Sequence, residues 1–288
     1  MLAHMESGQG ENPHQTWQRT WARWALQQWE TFPVDARPRP LILTAPPFRF
    51  ERGFRSGGAK MAFFNGDIAA TVPLPEGLLE VLHEGRPGAR HGKSPLLITQ
   101  ADRCQAEFAS DRGRREFPAW RLGGPGIDGA MLVLDPAIVS RCWTPPEPAP
   151  PKPLAGLPHR AASAAVESDG MTLHFTFTGS PPAYTDYPGA ETVETGQALV
   201  VLPVARDVGP PGWRQAVGCI RTVVTRLASP LGERAVVDLD ASPVMVQAHE
   251  VPPDPRLPPR NCTPGPTSAW WTRPGNFQMS GSCPGFVD

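Results

Sequence analysis

Met171–Thr178 is an unbroken alternation of apolar and polar side chains, a pattern that few folds can accommodate. One set is Met171, Leu173, Phe175 and Phe177, and the other is Thr172, His174, Thr176 and Thr178. Successive side chains leave a pleated backbone on opposite faces, so a period of two indicates a β-strand with one buried and one solvated face. The second half of the chain is therefore expected to be built from sheets.

The surrounding region, 161–249, continues in the same way. Further strands are expected at 197–205, 216–228, 234–239 and 243–248, separated by clusters of Gly, Pro, Asp and Ser. Short strands at this spacing, without a helical periodicity between them, are typical of an antiparallel β-sandwich or a small barrel. This region predicts a mainly antiparallel β domain of one of those two forms.

Proline sets the expected domain boundaries, because the chain has 37 prolines in 288 residues. Residues 144–160 are dense in proline, which favours an extended, semi-rigid spacer between two domains. Residues 250–288 are again rich in proline and lack periodicity, which predicts an irregular tail. Residues 1–11 are expected to form a flexible leader.

Residues 12–143 predict an α+β domain that begins with a tryptophan-rich helix. Asn12 and Pro13 suit a helix start, and Trp17, Trp21 and Trp24 fall on one helical stripe. Residues 57–65 favour a short helix, with a strand entering an Asn-Gly hairpin turn as the alternative. A second short helix is expected at 75–84, and strands are expected at 41–45, 96–99, 104–110, 114–122 and 131–134. Asp111-Arg112-Gly113 has the composition of a hairpin connection.

Charge and composition exclude several classes of protein. The 27 basic and 28 acidic residues balance, so no global field attracts nucleic acid or an anionic membrane. The sequence as given has no signal peptide, and its longest apolar run, Ala198–Val204, is too short to span a bilayer. We therefore expect no nucleic-acid partner, no membrane span and a cytoplasmic location.

The five cysteines are expected to be reduced, and a Cys262–Cys283 bridge would require an oxidising compartment.

The sequence indicates no specific chemistry. His83, His91 and Cys104 have the loose spacing of surface histidines and a core cysteine, so neither a metal site nor a cofactor is expected. Cys104 and Cys219 fall on apolar strand faces, where burial leaves a thiol inert. The arginines of the hairpin tip, 112, 114 and 115, are expected to be solvated, with phosphate binding as the alternative. His174 is expected to be an exposed residue or a ligand contact.

Two blocks of the chain resemble proteins of high-GC bacteria that have no assigned activity. The first is Arg39–Asp67 (RPLILTAPPFRFERGFRSGGAKMAFFNGD), and the second is Gly218–Val246 (GCIRTVVTRLASPLGERAVVDLDASPVMV). Together they cover about a fifth of the chain. The resemblance implies neither a reaction nor a catalytic residue.

Two functions are compatible with these features. The preferred hypothesis is a non-catalytic binding protein whose partner is another protein, and the expected contact residues lie near both ends of the chain: Trp17, Trp21, Trp24, Trp270, Trp271 and Phe277. The alternative is an enzyme with a cleft in the N-terminal domain or between the domains. The alternative requires at least two members of one set to meet in a pocket: Asp67, His83, His91, Asp102 and Cys104.

Overall fold

The computed structural model describes residues 13–83, 94–146, 160–209 and 218–249, and within them it is rich in strands. The part before residue 147 has four helices among its described residues: α1 (Pro13–Gln27), α2 (Gly57–Phe64), α3 (Leu78–His83) and α4 (Pro136–Val139). The strands of that part are β1 (Phe48–Phe50), β2 (Gly53–Phe54), β3 (Ile68–Ala70), β4 (Leu96–Ile98), β5 (Gln100–Ser110), β6 (Gly113–Gly123), β7 (Ile127–Asp128) and β8 (Met131–Leu134). The strands after residue 159 are β9 (Arg160–Val166), β10 (Thr172–Gly179), β11 (Thr185–Glu194), β12 (Ala198–Asp207), β13 (Cys219–Arg226), β14 (Ala235–Val237) and β15 (Val246–Ala248).

The first half is organised around an antiparallel sheet with the strand order β1-β8-β6-β5. β5 and β6 form a long hairpin whose two-residue connection is Asp111-Arg112, followed by Gly113 with a φ of +90°. Glycine is favoured there because other residues rarely adopt a positive φ. Helices α2 and α3 bury Phe63, Leu78 and Leu82 in a core shared with β6 and β8. The predicted α+β content and the hairpin at Asp111 are therefore confirmed.

The second half forms two sheets that share a buried core. One has the order β13-β10-β9-β15 and the other the order β11-β12-β14. Leu173, Phe175 and Phe177 of β10 point into this core and meet Leu199 and Val201 of β12. The intervening residues of β10 stay partly or fully exposed, which confirms the half-buried strand. No sheet closes on itself within the described ranges.

Helix α1 covers the other face of the β11-β12-β14 sheet. Ala22, Leu26 and Trp29 pack in one core with Val200 and Leu202 of β12. β12 is consequently buried on both faces, which explains why its first six residues are all buried and apolar or proline. The helix therefore packs mainly on strands of the second half of the chain, although the sequence assigned it to the N-terminal domain.

The described residues on both sides of the predicted linker belong to one compact unit. Ile42 and Trp143 lie in the core that α1 shares with β12 and β14, although they precede the linker in sequence. The predicted two-domain arrangement is therefore not confirmed. Most of the linker, 147–159, lies outside the described residues, as do the predicted leader and tail.

Several local predictions differ from the structure. The strand expected at 41–45 is wrong, because only isolated bridges at Leu41 and Leu43 form between flanking prolines. β9 was missed because it consists mainly of alanine, a poor strand former. β11 was missed because its pairing with β12 shifts register between Asp186 and Gly189, which interrupts the alternation.

In the part of the chain that the structure describes, no helix has the length and apolar character to traverse a bilayer.

Candidate functional site

A cavity of about 690 Å³ lies where the first half of the chain meets the turn before β15. Four segments form its walls: the loop before β1, the end of α2, the residues around and after α4, and the turn Asp240–Pro243. The lining residues are Ile42, Leu43, Ala45, Pro46, Pro47, Phe48, Phe64, Val139, Cys142, Trp143, Thr144, Pro145, Asp240, Ala241, Ser242 and Pro243. Most of these side chains are apolar, which is typical of a ligand-binding cavity.

The turn at the cavity contains the one residue other than glycine with a positive φ among the described residues, Ala241, at +65°. This left-handed conformation costs about 1–2 kcal/mol for a residue with a Cβ atom. Surrounding hydrogen bonds hold it: the Trp29 indole N–H donates to the Ala241 carbonyl over 3.0 Å, and the Ser242 N–H donates to Asp240 Oδ1 over 2.9 Å. Backbone strain of this kind is concentrated at functional sites.

The polar groups of the cavity are few. The Asp240 side chain is half-buried and forms no ion pair with any described Lys, Arg or His. The Cys142 thiol lies 3.5 Å from the Ile138 carbonyl, to which it donates. No described histidine lines the cavity. The arrangement therefore suits binding of an apolar group next to a positive charge.

The tryptophan stripe is formed as predicted, but its members differ in exposure. Trp17 and Trp24 each lie 5.6 Å from Trp21, measured between ring centroids. Trp21 is buried in the core, whereas Trp17 is 37% exposed. Trp17 is thus the member of the stripe best placed to touch a partner. The expected contacts Trp270, Trp271 and Phe277 lie outside the described residues.

The residues required by the enzyme hypothesis are spread over the first half. His83 is exposed at the end of α3, and Asp67 is buried between α2 and β3. Asp102 and Cys104 lie on β5, where burial raises the pKa of the Cys104 thiol. None of Asp67, Asp102 and Cys104 lines a described cavity with His83. His91 lies outside the described residues, and no two of the four described members line the same one of these cavities.

Asp111 and Arg112, in the hairpin tip expected to be solvated, instead pack against other segments of the chain. Asp111 is 1% exposed, and its carboxylate accepts hydrogen bonds from both terminal nitrogens of Arg39. Arg112 donates to the carbonyls of Gly232 and Arg234 over 2.8 and 2.9 Å. Burial lowers the pKa of Arg112. The prediction of a solvated tip is therefore wrong for Arg112, which forms a structural contact between distant segments, and it is confirmed for Arg114 and Arg115, which are exposed.

One group of described side chains could hold a metal ion: Glu167, His174 and His249. His174 Nε2 lies 2.8 Å from Glu167 Oε1, and the rings of His174 and His249 stack with centroids 3.9 Å apart. The sequence pointed to His174 as a ligand contact but missed both of its neighbours. The Glu167 position follows from the β9–β10 hairpin, whereas His249 is brought in by the parallel pairing of β15 with β9, which has no local sequence signal.

Comparisons with protein-family models, curated proteins and solved structures found no match to this chain. The resemblance of residues 39–67 and 218–246 to proteins of high-GC bacteria stays a prediction.

Proposed function

We propose that the protein is a non-catalytic binding protein that holds an extended segment of another protein at the 690 Å³ cavity. One or two apolar side chains of the segment would enter the cavity, and a neighbouring basic residue would approach Asp240. The observation that carries this proposal is the mainly apolar lining of the cavity around a single half-buried carboxylate.

The size of the cavity supports this proposal. Ligand cavities typically measure about 300–1,000 Å³, so this one accommodates a large aliphatic or aromatic anchor. Burying a side chain of that size contributes about 1.5–3 kcal/mol. Phe64 is half exposed at the cavity and lies beside the exposed Met61, which extends the apolar surface available to a partner. Anchors of this kind provide most of the energy in many protein interfaces.

The negative charge of Asp240 indicates which kind of partner residue would bind beside it. Its Oδ1 atom accepts a hydrogen bond from the Ser242 N–H, which orients the carboxylate. A lysine or arginine of the partner would supply the counter-charge that no described residue supplies. Hydrogen bonds to an ionised group are about twice as strong as those between neutral groups, so this contact would fix the register of the bound segment.

A peptide selection tests the proposal. A library of random 12-residue peptides is selected on the full chain, and the selected peptides are measured by isothermal titration calorimetry. We expect apolar peptides with at least one Lys or Arg. Ala45 is exposed and lines the cavity, so the larger side chain of Ala45→Trp should fill the cavity. This variant should bind the selected peptides at least tenfold more weakly, which is about 1.4 kcal/mol.

The matched control is Ala228→Trp, another exposed alanine that lies outside the cavity lining. It should bind the selected peptides like the unaltered chain, and Asp240→Asn should weaken only peptides that carry a basic residue. Peptides that bind Ala45→Trp as tightly as Ala228→Trp would show that the cavity is not their site and would overturn the proposal.

A further inference from the structure

We propose that Glu167, His174 and His249 form a binding site for a borderline divalent transition-metal ion, with Zn²⁺ as the best fit. The three side chains are partly buried, and one ligand atom from each lies within 4.8 Å of the other two. Two imidazole nitrogens and one carboxylate oxygen are a donor set that binds Zn²⁺ in proteins, with water completing the coordination. This site is separate from the residues that line the 690 Å³ cavity.

The fold places all three residues on rigid backbone. His174 lies in the middle of β10, between β9 and β13. Glu167 directly follows β9, and its N–H donates to the Thr172 carbonyl. His249 directly follows β15, and its N–H donates to the Val166 carbonyl over 2.7 Å. A metal site needs ligands that are positioned in this way before the ion arrives.

The local charge also favours a cation. The cross-strand neighbours of His174 are Ala165 and Val224, which carry no charge. Glu167 and His174 pair with each other, and no described Lys or Arg pairs with the Glu167 carboxylate. A divalent ion at this position would therefore be attracted by the Glu167 carboxylate, and no described basic side chain would compete with the ion for that carboxylate.

The geometry requires a small rearrangement on binding. Zn²⁺ binds histidine nitrogen and carboxylate oxygen at about 2.0–2.2 Å, so tetrahedral ligand atoms lie about 3.4 Å apart. The pair His174 Nε2–Glu167 Oε1 would open from 2.8 Å to that separation. The His174 and His249 rings are nearly parallel, at 7°, whereas an ion must lie in the plane of both rings. The His249 ring would therefore tilt, and no described residue holds its side chain by a hydrogen bond.

The bound ion would join the β9–β10 hairpin, which carries Glu167 and His174, to the end of β15, which lies far later in the chain. β15 pairs with β9 over only three residue pairs, Val246, Gln247 and Ala248 with 164–166. An ion that links His249 to Glu167 and His174 would secure this short parallel strand against the β9–β10 hairpin. Any ion that binds the folded but not the unfolded chain raises stability by mass action.

Titration of the full chain with Zn²⁺, in the presence of a phosphine reductant, tests the proposal. We expect one strongly bound ion, and a thermal midpoint that rises by several degrees at saturating Zn²⁺. His249→Gln and Glu167→Gln should each bind at least about tenfold more weakly and lose the rise in midpoint. His83→Gln, an exposed histidine on α3, is the matched control and should bind like the unaltered chain.

Cobalt substitution separates this site from the cysteines. Co²⁺ bound by nitrogen and oxygen ligands lacks the near-ultraviolet charge-transfer band that thiolate ligands produce. We expect the Co²⁺ spectrum of the chain to lack this band. A thiolate band or the absence of Zn²⁺ binding would overturn the proposal. So would His249→Gln and Glu167→Gln variants that bind Zn²⁺ as tightly as the unaltered chain. The melting curve of each variant without metal verifies that it is folded.

Discussion

Removing either partner of the Arg39–Asp111 ion pair should destabilise the protein strongly, because this buried pair joins distant parts of the fold. The Asp111 side chain is 2% exposed and the Arg39 side chain 12% exposed. The Asp111 N–H also donates to the Ile42 carbonyl, and its carbonyl accepts from the Val246 N–H at the start of β15. The pair therefore connects the β5–β6 hairpin to segments before and after it.

The expected cost follows from which charge is left behind. Breaking a buried pair by removing one partner costs about 3–5 kcal/mol, since the remaining charge is buried without compensation. In Asp111→Asn, Glu233 still lies 3.4 Å from Arg39 Nε, so we expect the lower end, about 3 kcal/mol. In Arg39→Met, Arg112 Nε remains 3.8 Å from Asp111 Oδ2, and we expect a similar cost. For a unit of this size, 3 kcal/mol corresponds to roughly 6–12 °C in the melting midpoint.

Urea unfolding followed by tryptophan fluorescence measures these costs. The double variant Arg39→Met/Asp111→Asn should cost at least about 2 kcal/mol less than the sum of the single variants, because it leaves neither charge of the buried pair behind without the other. Glu107→Gln is the control, since the Glu107–Arg114 pair is exposed and 3.8 Å long, and its loss should cost less than about 1 kcal/mol. Single variants within 1 kcal/mol of the unaltered chain, or costs that simply add, would refute this reasoning.

Two further predictions concern the partly buried carboxylate of Glu194 and the tryptophan stripe. Burial raises the pKa of Glu194, but hydrogen bonds from the Ala228 N–H and from Arg234 and Thr192 outweigh it and hold that pKa below its ordinary value. The stabilisation is therefore present above the unfolded pKa of about 4.3 and is lost as pH falls through the folded pKa. Glu194→Gln should lower the free energy of unfolding by about 1.5–3 kcal/mol at pH 7, and urea unfolding at pH 7 and at about pH 3 should show this difference shrinking; a difference independent of pH would contradict it. Trp21→Ala should cost about 3–5 kcal/mol because Trp21 is buried, whereas Trp17→Ala should cost less than half as much, and equal melting midpoints for the two variants would contradict the packing described here.

Several elements could be predicted from the sequence because neighbouring residues in the chain specify them. The alternation of Met171–Thr178 required a strand with Phe175 and Phe177 inward, and both are buried. The composition of Asp111-Arg112-Gly113 required a tight connection between two strands. Helix α1 followed from its tryptophan spacing and from the proline at its start. In each case the period or the turn chemistry is a property of a few consecutive residues.

The meeting of distant surfaces was decided only by the tertiary structure. The stripe of α1 is compatible with any apolar face, and the sequence does not state that this face belongs to β12 and β14. The hairpin tip at Asp111 has a polar composition typical of an exposed turn, yet Arg39 and the backbone of β15 bury it. The proline-rich stretch before residue 160 indicated a separation that the shared core of Ile42, Trp143 and Val200 does not show.

The candidate sites likewise combine residues that the sequence could place with contacts that only the tertiary structure shows. The sequence placed His174 on the solvated face of a strand, but the parallel pairing of β15 with β9 was needed to bring His249 against it. The cavity beside Asp240 is likewise formed by four segments that are separated by many residues. Periodicity and turn composition are local properties of the chain, whereas a cavity or a ligand cluster depends on pairings between distant strands, so the first could be read from the sequence and the second required the folded molecule.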